Sequence, residues 1–291
     1  YGQNSHRDKE WQNPQVNQIN RLPINAHFVP YAKKQDASDR AKANDRIVSL
    51  NGVWKFHYAK NPDSRPTDFY KTDYNISDWK DIKVPGSWEL QGFDAPIYTD
   101  VAYPFPANPP YVPTDYNPVG SYKHTFTISE NWKGMDVILR FGGVESAFYC
   151  WVNGKLVGYS EDSRLPAEFN INEYLQKGQN DLAVEVYRYS DGSYLEGQDS
   201  WKYSGIERSV SLVARPKVRV DDFILKADLS DNFKDGLFSL DVVLNKADKS
   251  DVQIEILDGQ KVIYQETKKQ TGKETTLSFS KTFPNIKHWT A

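Results

Sequence analysis

Short runs of alternating apolar and polar residues dominate the chain from Ile47 onward, and turn-forming residues separate them. Two of these runs flank Asn153-Gly154, and an Asn-Gly pair in this setting is the strongest short-range signal for a two-residue hairpin. Helix-like pieces are short and occur around residues 67–69 and 171–175. Several short strands without a long amphipathic helix indicate packed β-sheets, so the sequence predicts an all-β fold.

The chain separates into three segments. Residues 1–45 are rich in Asn, Gln, Lys and Asp and lack helical or strand periodicity, so they predict an extended N-terminal arm that wraps over a neighbouring surface instead of forming a core. Residues 46–215 predict a jelly-roll β-sandwich. Residues 217–291 predict an immunoglobulin-like β-sandwich with a spacer role. About two of the seven strands of such a sandwich are missing from the pattern, so we expect it to be incomplete, with an exposed edge.

Charge and composition exclude several classes of partner. With Lys+Arg 36 against Asp+Glu 39, the net charge is −3, which provides no electrostatic footprint for nucleic acid or an anionic membrane. No apolar run approaches the roughly 18 residues that span a bilayer. Cys150 is the only cysteine, so an intrachain disulfide is impossible, and its position in FYCWV predicts a small residue buried in a strand.

The first residue is Tyr1 rather than Met. This leaves open a processed product of export and an excised piece of a longer protein. A single cysteine is compatible with a periplasmic or secreted location, and a cytoplasmic location is the alternative.

The stretch from Tyr189 to Ile206 mixes carboxylates, aromatic rings and glycines, which is typical of a functional loop and not of a buried strand. Acceptor-rich side chains beside flat aromatic faces suit a sugar, because its hydroxyls need directional hydrogen bonds and its C–H faces need an apolar platform. A polar surface turn with scattered aromatic residues is the alternative, and composition alone does not decide between them. The residues concerned are Asp191, Glu196, Asp199, Tyr189, Tyr194, Trp201 and Tyr203.

A second candidate loop is the proline-rich segment of residues 92–120. Its prolines argue against ladder strands and helices alike, and they predict a loop that is rigid without hydrogen bonds of its own. Such a loop presents Tyr98, Asp100 and Asn108 at fixed positions as a polar rim.

Most tryptophans lie among apolar neighbours, and we assign them to core packing. They are Trp54, Trp79, Trp88, Trp132 and Trp151. Trp201 is the exception, because it lies in the loop and is available to stack on a sugar.

Six segments between Asn20 and Leu212 carry a match that runs in one collinear register from about Asp8 to Trp289. They are NRLPINAHF, LNGVWKF, VPGSWELQGFDAPIYTDVAYPF, NPPYVP, SAFYCWVNGKLVGYSEDSRLPAEF and YSDGSYLEGQDSWKYSGIERSVSL. Together they resemble the N-terminal part of bacterial lactase-type β-galactosidases of glycoside hydrolase family 2, and the last motif is more specific to β-galactosidases than to the β-glucuronidase and β-mannosidase branches. In that family an arm, a galactose-binding-domain-like jelly roll and an immunoglobulin-like domain precede a (β/α)₈ catalytic barrel. The resemblance therefore implies that the catalytic barrel lies outside this chain.

The resemblance assigns substrate contacts to the two candidate loops. An Asn-Val pair that touches the galactosyl unit in the family corresponds to Asp100 and Val101 here. Because a carboxylate cannot donate a hydrogen bond, a sugar hydroxyl has to donate to Asp100 instead. The aspartate after Gly-Gln corresponds to Asp199, which in the family ligates a Na⁺ ion that also meets a galactose hydroxyl.

The resemblance also implies a Mg²⁺ site between the arm and the jelly roll. Its pattern maps onto Glu10, Asn13, Val16, Glu161 and Asp191. These residues supply the oxygen ligands that Mg²⁺ prefers. Glu10 and Glu161 replace the family's Asp and Gln, which changes their reach and charge. A solvated acidic cluster is the alternative.

The function that the resemblance implies is that of the non-catalytic N-terminal part of a retaining β-galactosidase, with Mg²⁺ and Na⁺ as its cofactors. Its expected partners are a β-galactoside, the downstream barrel and further copies of the parent chain in a homo-oligomer. We expect this segment alone to be inactive. The alternatives are a stand-alone carbohydrate-binding module or lectin, and another family 2 glycosidase, a β-glucuronidase or β-mannosidase.

Overall fold

The computed structural model describes residues 10–38, 44–197 and 199–288. These residues form two compact units. The first unit contains the described residues up to Ile24 and from Pro30 to Arg215, and the second contains Asn25–Val29 and the described residues from Pro216 onward.

Helices are short in the described residues. They comprise α1 at Lys34–Ser38, α2 at Ser193–Glu196, and single 3₁₀ turns at Glu10–Gln12, Pro62–Ser64, Glu89–Gln91, Glu130–Trp132 and Asn172–Tyr174. The piece predicted around residues 171–175 is one of these 3₁₀ turns, whereas the piece around residues 67–69 is a turn without a helix. Within the described ranges, no helix has the length and apolar character needed to cross a membrane.

The first unit is built from short antiparallel strands. They are β1 Gln18–Ile19, β2 Ile47–Ser49, β3 Gly52–Ala59, β4 Lys80–Val84, β5 Gly86–Ser87, β6 Ile97–Thr99, β7 Val119–Thr127, β8 Asp136–Phe141, β9 Val144–Glu145, β10 Ala147–Val152, β11 Lys155–Ser160, β12 Ala167–Asn170, β13 Gln179–Tyr187, β14 Ser200–Lys202, β15 Gly205–Ile206 and β16 Val210–Arg215. A seven-stranded sheet has the order β1-β11-β10-β13-β7-β3-β4, and a four-stranded sheet has the order β12-β8-β16-β2. Smaller ladders join β14 to β6, and β15 to both β5 and β9.

The main core lies between the two large sheets. One face of the seven-stranded sheet contributes Trp54, Tyr122 and Val184, and the four-stranded sheet contributes Leu139 and Phe169, with at most 1 % of each residue exposed. Alternating inward-facing residues of both sheets therefore bury each other, as in any β-sandwich. The predicted all-β sandwich fold is confirmed.

The outer face of the seven-stranded sheet is also buried. Loops and the arm cover it, so all six residues of β10 are buried: Cys150 and its alternate neighbours face the core between the sheets, and Tyr149 and Trp151 lie under the loops and the arm. Trp11 from the arm is only 3 % exposed, and its ring stacks on Tyr187 at 5.1 Å between centroids. The arm therefore lies over a neighbouring surface, and Trp11 adds a buried side chain to the cluster on that surface. An isolated tryptophan carries no periodicity, so sequence pattern did not identify it.

The predicted hairpin at Asn153-Gly154 connects β10 to β11, with Val152 opposite Lys155. Both turn residues have positive φ, 51° and 78°, and only a few residue types, Asn and Gly foremost, adopt this left-handed conformation readily. This part of the prediction is confirmed by local backbone geometry.

The second unit contains β17 Val220–Leu229, β18 Gly236–Leu244, β19 Asp251–Asp258, β20 Lys261–Lys269 and β21 Thr276–Phe283. One sheet has the order β17-β18-β21 and the other pairs β19 with β20. Phe279, Val242 and Ile254 form part of a small core that draws on both sheets. These five strands of residues 216–288 are fewer than the seven of a complete immunoglobulin-like sandwich. On the edge strand β17, Ile224 and Leu225 are more than half exposed.

Candidate functional site

Two segments that are far apart in sequence form one short ladder on the first unit. Strand β6 lies in the proline-rich segment, and it pairs with β14 through Thr99 opposite Ser200 and Ile97 opposite Lys202. The prediction that the prolines prevent any ladder strand there is wrong, because residues 97–99 lie between Pro96 and Pro104 and keep their N–H groups. The ladder therefore joins the two loops that the sequence analysis treated separately.

Asp100 and Asp199 lie together at one end of this ladder. The Asp199 N–H donates to the Asp100 carbonyl oxygen at 3.0 Å, and the Tyr98 hydroxyl donates to Asp199 Oδ1 at 2.6 Å. This hydrogen bond to a carboxylate raises the pKa of Tyr98, since it stabilises the protonated phenol. Asp199 has a positive φ of 27°, an unusual conformation outside glycine and one that is found at binding sites.

Exposed apolar side chains surround the two aspartates. Val101 is 93 % exposed, and Trp201 and Tyr98 are about half exposed. The Trp201 ring lies 5.5 Å from the Tyr98 ring and 6.1 Å from the Tyr203 ring, measured between centroids. These three rings, called here the aromatic patch, place an apolar platform beside acceptor oxygens.

Much of the stretch from Tyr189 to Ile206 is buried, contrary to the expectation of a loop. Tyr189 and Tyr194 are at most 8 % exposed, because they pack beneath the proline-rich segment against Phe105. Lys202 is 5 % exposed, its ammonium group donates to Gly197 O and to Ser200 Oγ, and burial lowers its pKa. The exposed residues of this stretch lie between Leu195 and Trp201.

The expected magnesium ligands Glu161 and Asp191 are neighbours. Each is 8 % exposed, and the Glu161 carboxyl hydrogen-bonds the Asp191 carboxyl. Burial, with the Asp191 charge beside it, raises the pKa of Glu161 to about 8, and burial raises that of Asp191 as well. Two carboxyl groups in such contact share a proton or need a cation between them, so this pair fits the oxygen donor set of a divalent ion.

The other three expected ligands lie in the arm, which passes over this pair. The Asp191 N–H donates to Trp11 O, and the Glu161 N–H donates to the carbonyl oxygen of Asn17. Glu10 accepts a 2.7 Å hydrogen bond from Tyr149. Asn13 accepts at its side chain from Gln15 N and at its carbonyl from Val16 N. In the parts of the chain that the structure describes, no group of three or more His, Cys, Asp or Glu residues is arranged to hold a metal ion.

Sequence reasoning missed two charged clusters near these loops, a buried one around Arg188 and a half-exposed one around Arg164. Arg188 follows the apolar strand β13 and is 2 % exposed, with its guanidinium 2.5 Å from Asp94. Arg164 bridges Glu145 at 2.8 Å and Glu207 at 2.7 Å, and burial raises the pKa of Glu145 to about 8. The one available signal was a charged residue continuing an apolar strand, since buried arginines are rare unless they are paired.

Comparison with known families matches residues 47–216 to the model described as "Glycosyl hydrolases family 2, sugar binding domain". This is more than half of the chain. The chain belongs to glycosyl hydrolase family 2. The matched residues include the sandwich, the ladder and both aspartates of the candidate site.

Curated relatives of this family 2 chain include three proteins named beta-galactosidase. The one from Priestia megaterium is 46 % identical over 258 residues, the one from Photobacterium profundum 43 % over 255, and the one from Halalkalibacterium halodurans 39 % over 295. The alignments cover 85 %, 88 % and 99 % of this chain, but only 25 %, 24 % and 29 % of the relatives. The chain therefore spans about a quarter of the length of these relatives, and the predicted family resemblance is confirmed.

Solved structures confirm the fold of the family 2 chain. A beta-glucuronidase from an uncultured Clostridium has a TM-score of 0.62 at 21 % identity, covering 85 % of this chain and 41 % of its own. The Bifidobacterium dentium beta-glucuronidase, complexed with coumarin-3-O-glucuronide, has a TM-score of 0.63 at 21 % identity, covering 85 % and 43 %. At such identities the likeness concerns the fold alone.

Proposed function

We propose that this chain is the sugar-binding part of a retaining β-galactosidase and that Asp100, Val101 and Asp199 contact the galactosyl unit of the substrate. The observation that carries this proposal is the hydrogen bond from Asp199 N–H to Asp100 O, which brings the two expected contact residues to one exposed point. The 46 % identity to a protein named beta-galactosidase supports the choice of sugar.

The chemistry of the exposed point supports a carbohydrate ligand. The carboxylates of Asp100 and Asp199 accept hydrogen bonds from hydroxyl groups. The aromatic patch of Tyr98, Trp201 and Tyr203 offers the flat face on which the C–H groups of a sugar ring pack. A pyranose needs both kinds of contact at once.

Two cations complete the proposal. Asp199 would be the ligand that this chain gives to Na⁺, and Glu161 and Asp191 would hold Mg²⁺ together with Glu10, Asn13 and Val16 of the arm. Na⁺ adds a positive charge beside the sugar hydroxyls, and Mg²⁺ neutralises the buried carboxylate pair. The chain's own part is to bind and orient the sugar and to fix the arm to the sandwich.

We further propose that this segment alone hydrolyses no β-galactoside. A retaining glycosidase needs two carboxyl groups about 5–5.5 Å apart, one of them protonated near neutral pH. Glu161 and Asp191 are too close for this role, because they are hydrogen-bonded to each other. Asp100 and Asp199 are exposed, and water is not excluded from them. The nucleophile and the acid/base of the parent would come from a downstream barrel.

Titration of the chain with lactose tests the proposed contacts. We expect lactose, in the presence of Na⁺, to shift the backbone amide signals of residues 98–101 and 199–203, and we expect maltose to leave them in place. Asp199→Asn should abolish the shifts, and Asp73→Asn, an exposed aspartate elsewhere, should leave them intact. Equal shifts with both sugars would contradict the proposal. Turnover of o-nitrophenyl-β-galactoside that Asp199→Asn removes would contradict the inactivity of the segment.

A stand-alone lectin is the second candidate, and the exposure of the aromatic patch favours it. A lectin binds its sugar without a second wall, so calorimetric titration separates the two functions. A sub-millimolar Kd for galactose or lactose supports a lectin, and weaker binding supports the enzyme part. We expect a periplasmic or secreted parent that forms a homo-oligomer, with a cytoplasmic one as the alternative, and cell fractionation with size-exclusion chromatography tests both points.

A further inference from the structure

Arg188 contacts three separate segments that lead to the candidate site. Its guanidinium donates to Asp94 Oδ2 at 2.5 Å and to Ala95 O at 3.2 Å, just before β6. It also donates to Lys202 O at 3.3 Å, at the end of β14. Its backbone N–H donates to Pro118 O at 2.9 Å, where the proline-rich segment returns to the sandwich. One residue therefore joins both ends of the proline-rich segment to the strand that follows Asp199.

Arg188 pairs with two carboxylates, Asp94 and, at 3.7 Å, Glu89, and the nearer one is itself fixed. Asp94 accepts hydrogen bonds from the hydroxyl of Tyr58 at 2.9 Å and from that of Tyr116 at 2.8 Å. The Arg188 side chain is 1 % exposed and that of Asp94 is 10 % exposed, so neither exchanges its partner for water at low cost. Tyr58 belongs to β3 of the large sheet, so its hydrogen bond to Asp94 attaches the loops to the sandwich.

We propose that Arg188 is a positioning residue, which sets the places of Asp100 and Asp199 through the β6–β14 ladder. At the Arg188 end of this ladder, Ile97 lies opposite Lys202. At the other end, Asp199 is bonded to Asp100. The ladder is only three residue pairs long, and so short a ladder has little register preference of its own. The buried guanidinium supplies that preference by fixing the backbone on both strands.

Arginine is suited to this role and lysine is not. The guanidinium has five donors in a planar fork, and here its NH1 and NH2 groups serve one carboxylate and two carbonyl oxygens that belong to different segments. An ammonium group in the same place keeps the charge but cannot reach all three acceptors in a planar arrangement. The use of this ladder for galactoside binding rests on the proposed function, whereas the positioning of the ladder by Arg188 does not.

The test uses the chain labelled with 5-fluorotryptophan and followed by ¹⁹F NMR. Trp201 reports the ladder directly, since it lies opposite Tyr98, and Trp201→Phe assigns its signal. Arg188→Lys should shift or broaden the Trp201 signal and speed exchange of the Asp199 amide by about tenfold or more, while the signals of buried Trp54 and Trp132 stay in place. Arg215→Lys is the matched control, because Arg215 also pairs with a carboxylate, Glu168, at 2.7 Å and 2.8 Å. It should leave the Trp201 signal unmoved.

Asp94→Asn is the second variant, and it tests the positioning role of Arg188 if Arg188→Lys does not fold. It keeps an acceptor for the tyrosines but removes the charge, so it should move the Trp201 signal in the same direction by a smaller amount. An unmoved Trp201 signal and unchanged Asp199 exchange in the folded variant or variants would overturn the proposal. An equal shift of the Trp201 signal in Arg215→Lys would also overturn the proposal, because the loss of any buried ion pair would then have the same effect on that signal. These readouts need no sugar, so failure of the lactose titration affects only the proposed function.

Discussion

The backbone N–H of Asp199 donates a hydrogen bond of 3.0 Å to the carbonyl oxygen of Asp100, across 99 residues of sequence. This bond lies at one end of a three-pair ladder between two segments that are far apart in sequence. It places two acceptor side chains and the aromatic patch at one exposed point. The candidate site is thus a junction of two loops and not a cleft between the sheets of the sandwich.

Tyr98→Phe tests the contribution of the phenol to this junction. The change removes the 2.6 Å hydrogen bond to Asp199 Oδ1 but keeps the ring. Because Tyr98 is about half exposed, we expect the free energy of unfolding to change little. We expect the amide shifts that lactose induces at residues 199–203 to weaken. Tyr111→Phe, at a similarly exposed tyrosine, is the control, and equal weakening in both variants would contradict the assignment.

Trp11→Ala tests whether the arm is part of the core. Trp11 is 3 % exposed and stacks on Tyr187, so its removal should lower the free energy of unfolding by about 3 kcal/mol. Trp201→Ala removes the same side chain from an exposed site and should cost less than about 1 kcal/mol. Urea unfolding measures both. A loss of unfolding free energy in Trp11→Ala as small as that in Trp201→Ala would show that the arm does not stabilise the sandwich.

Stability should depend on pH through Glu161. Its pKa is raised from 4.5 to about 8 in the folded chain, so the folded state binds this proton more tightly than the unfolded state does. The stabilisation is complete below pH 4.5 and is lost as the pH rises toward about 8. In EDTA, wild type should therefore lose up to about 1.4 kcal/mol per pH unit in this window relative to Glu161→Gln. Glu173→Gln, at an exposed position, should follow wild type, and parallel curves for wild type and Glu161→Gln would refute the prediction.

Magnesium should counteract this loss. At pH 8 the carboxylates of Glu161 and Asp191 repel each other, and a divalent cation that binds only the folded state raises the melting temperature by mass action. We expect Mg²⁺ to raise the melting temperature of wild type at pH 8 and to have little effect at pH 5, where the pair retains its proton. Asp191→Asn should remove the Mg²⁺ effect. Differential scanning calorimetry with and without EDTA provides the measurement, and a Mg²⁺ effect that survives in Asp191→Asn would exclude this pair as the site.

Local patterns were sufficient for most strands of the two large sheets and for the hairpin between β10 and β11. The alternation around Leu139 and Val184, and the Asn153-Gly154 turn, depend on neighbouring residues only, so the sequence determined them directly. The buried tryptophans Trp54 and Trp88 followed from their apolar neighbours in the same way. The family resemblance depended on longer motifs, and the match to residues 47–216 bears it out.

The site was decided by tertiary structure. Sequence analysis placed Asp100 in a rigid loop and Asp199 in another, but the hydrogen bond between them depends on pairing across the chain, which no local pattern encodes. Tyr189 and Tyr194 were expected in an open loop, yet they are buried because the proline-rich segment folds over them. Arg188 belongs to no motif that could be recognised in the sequence. Its role arises from carbonyl oxygens that only folding brings within reach of one guanidinium, whereas strand and turn preferences are set by each residue and its immediate neighbours.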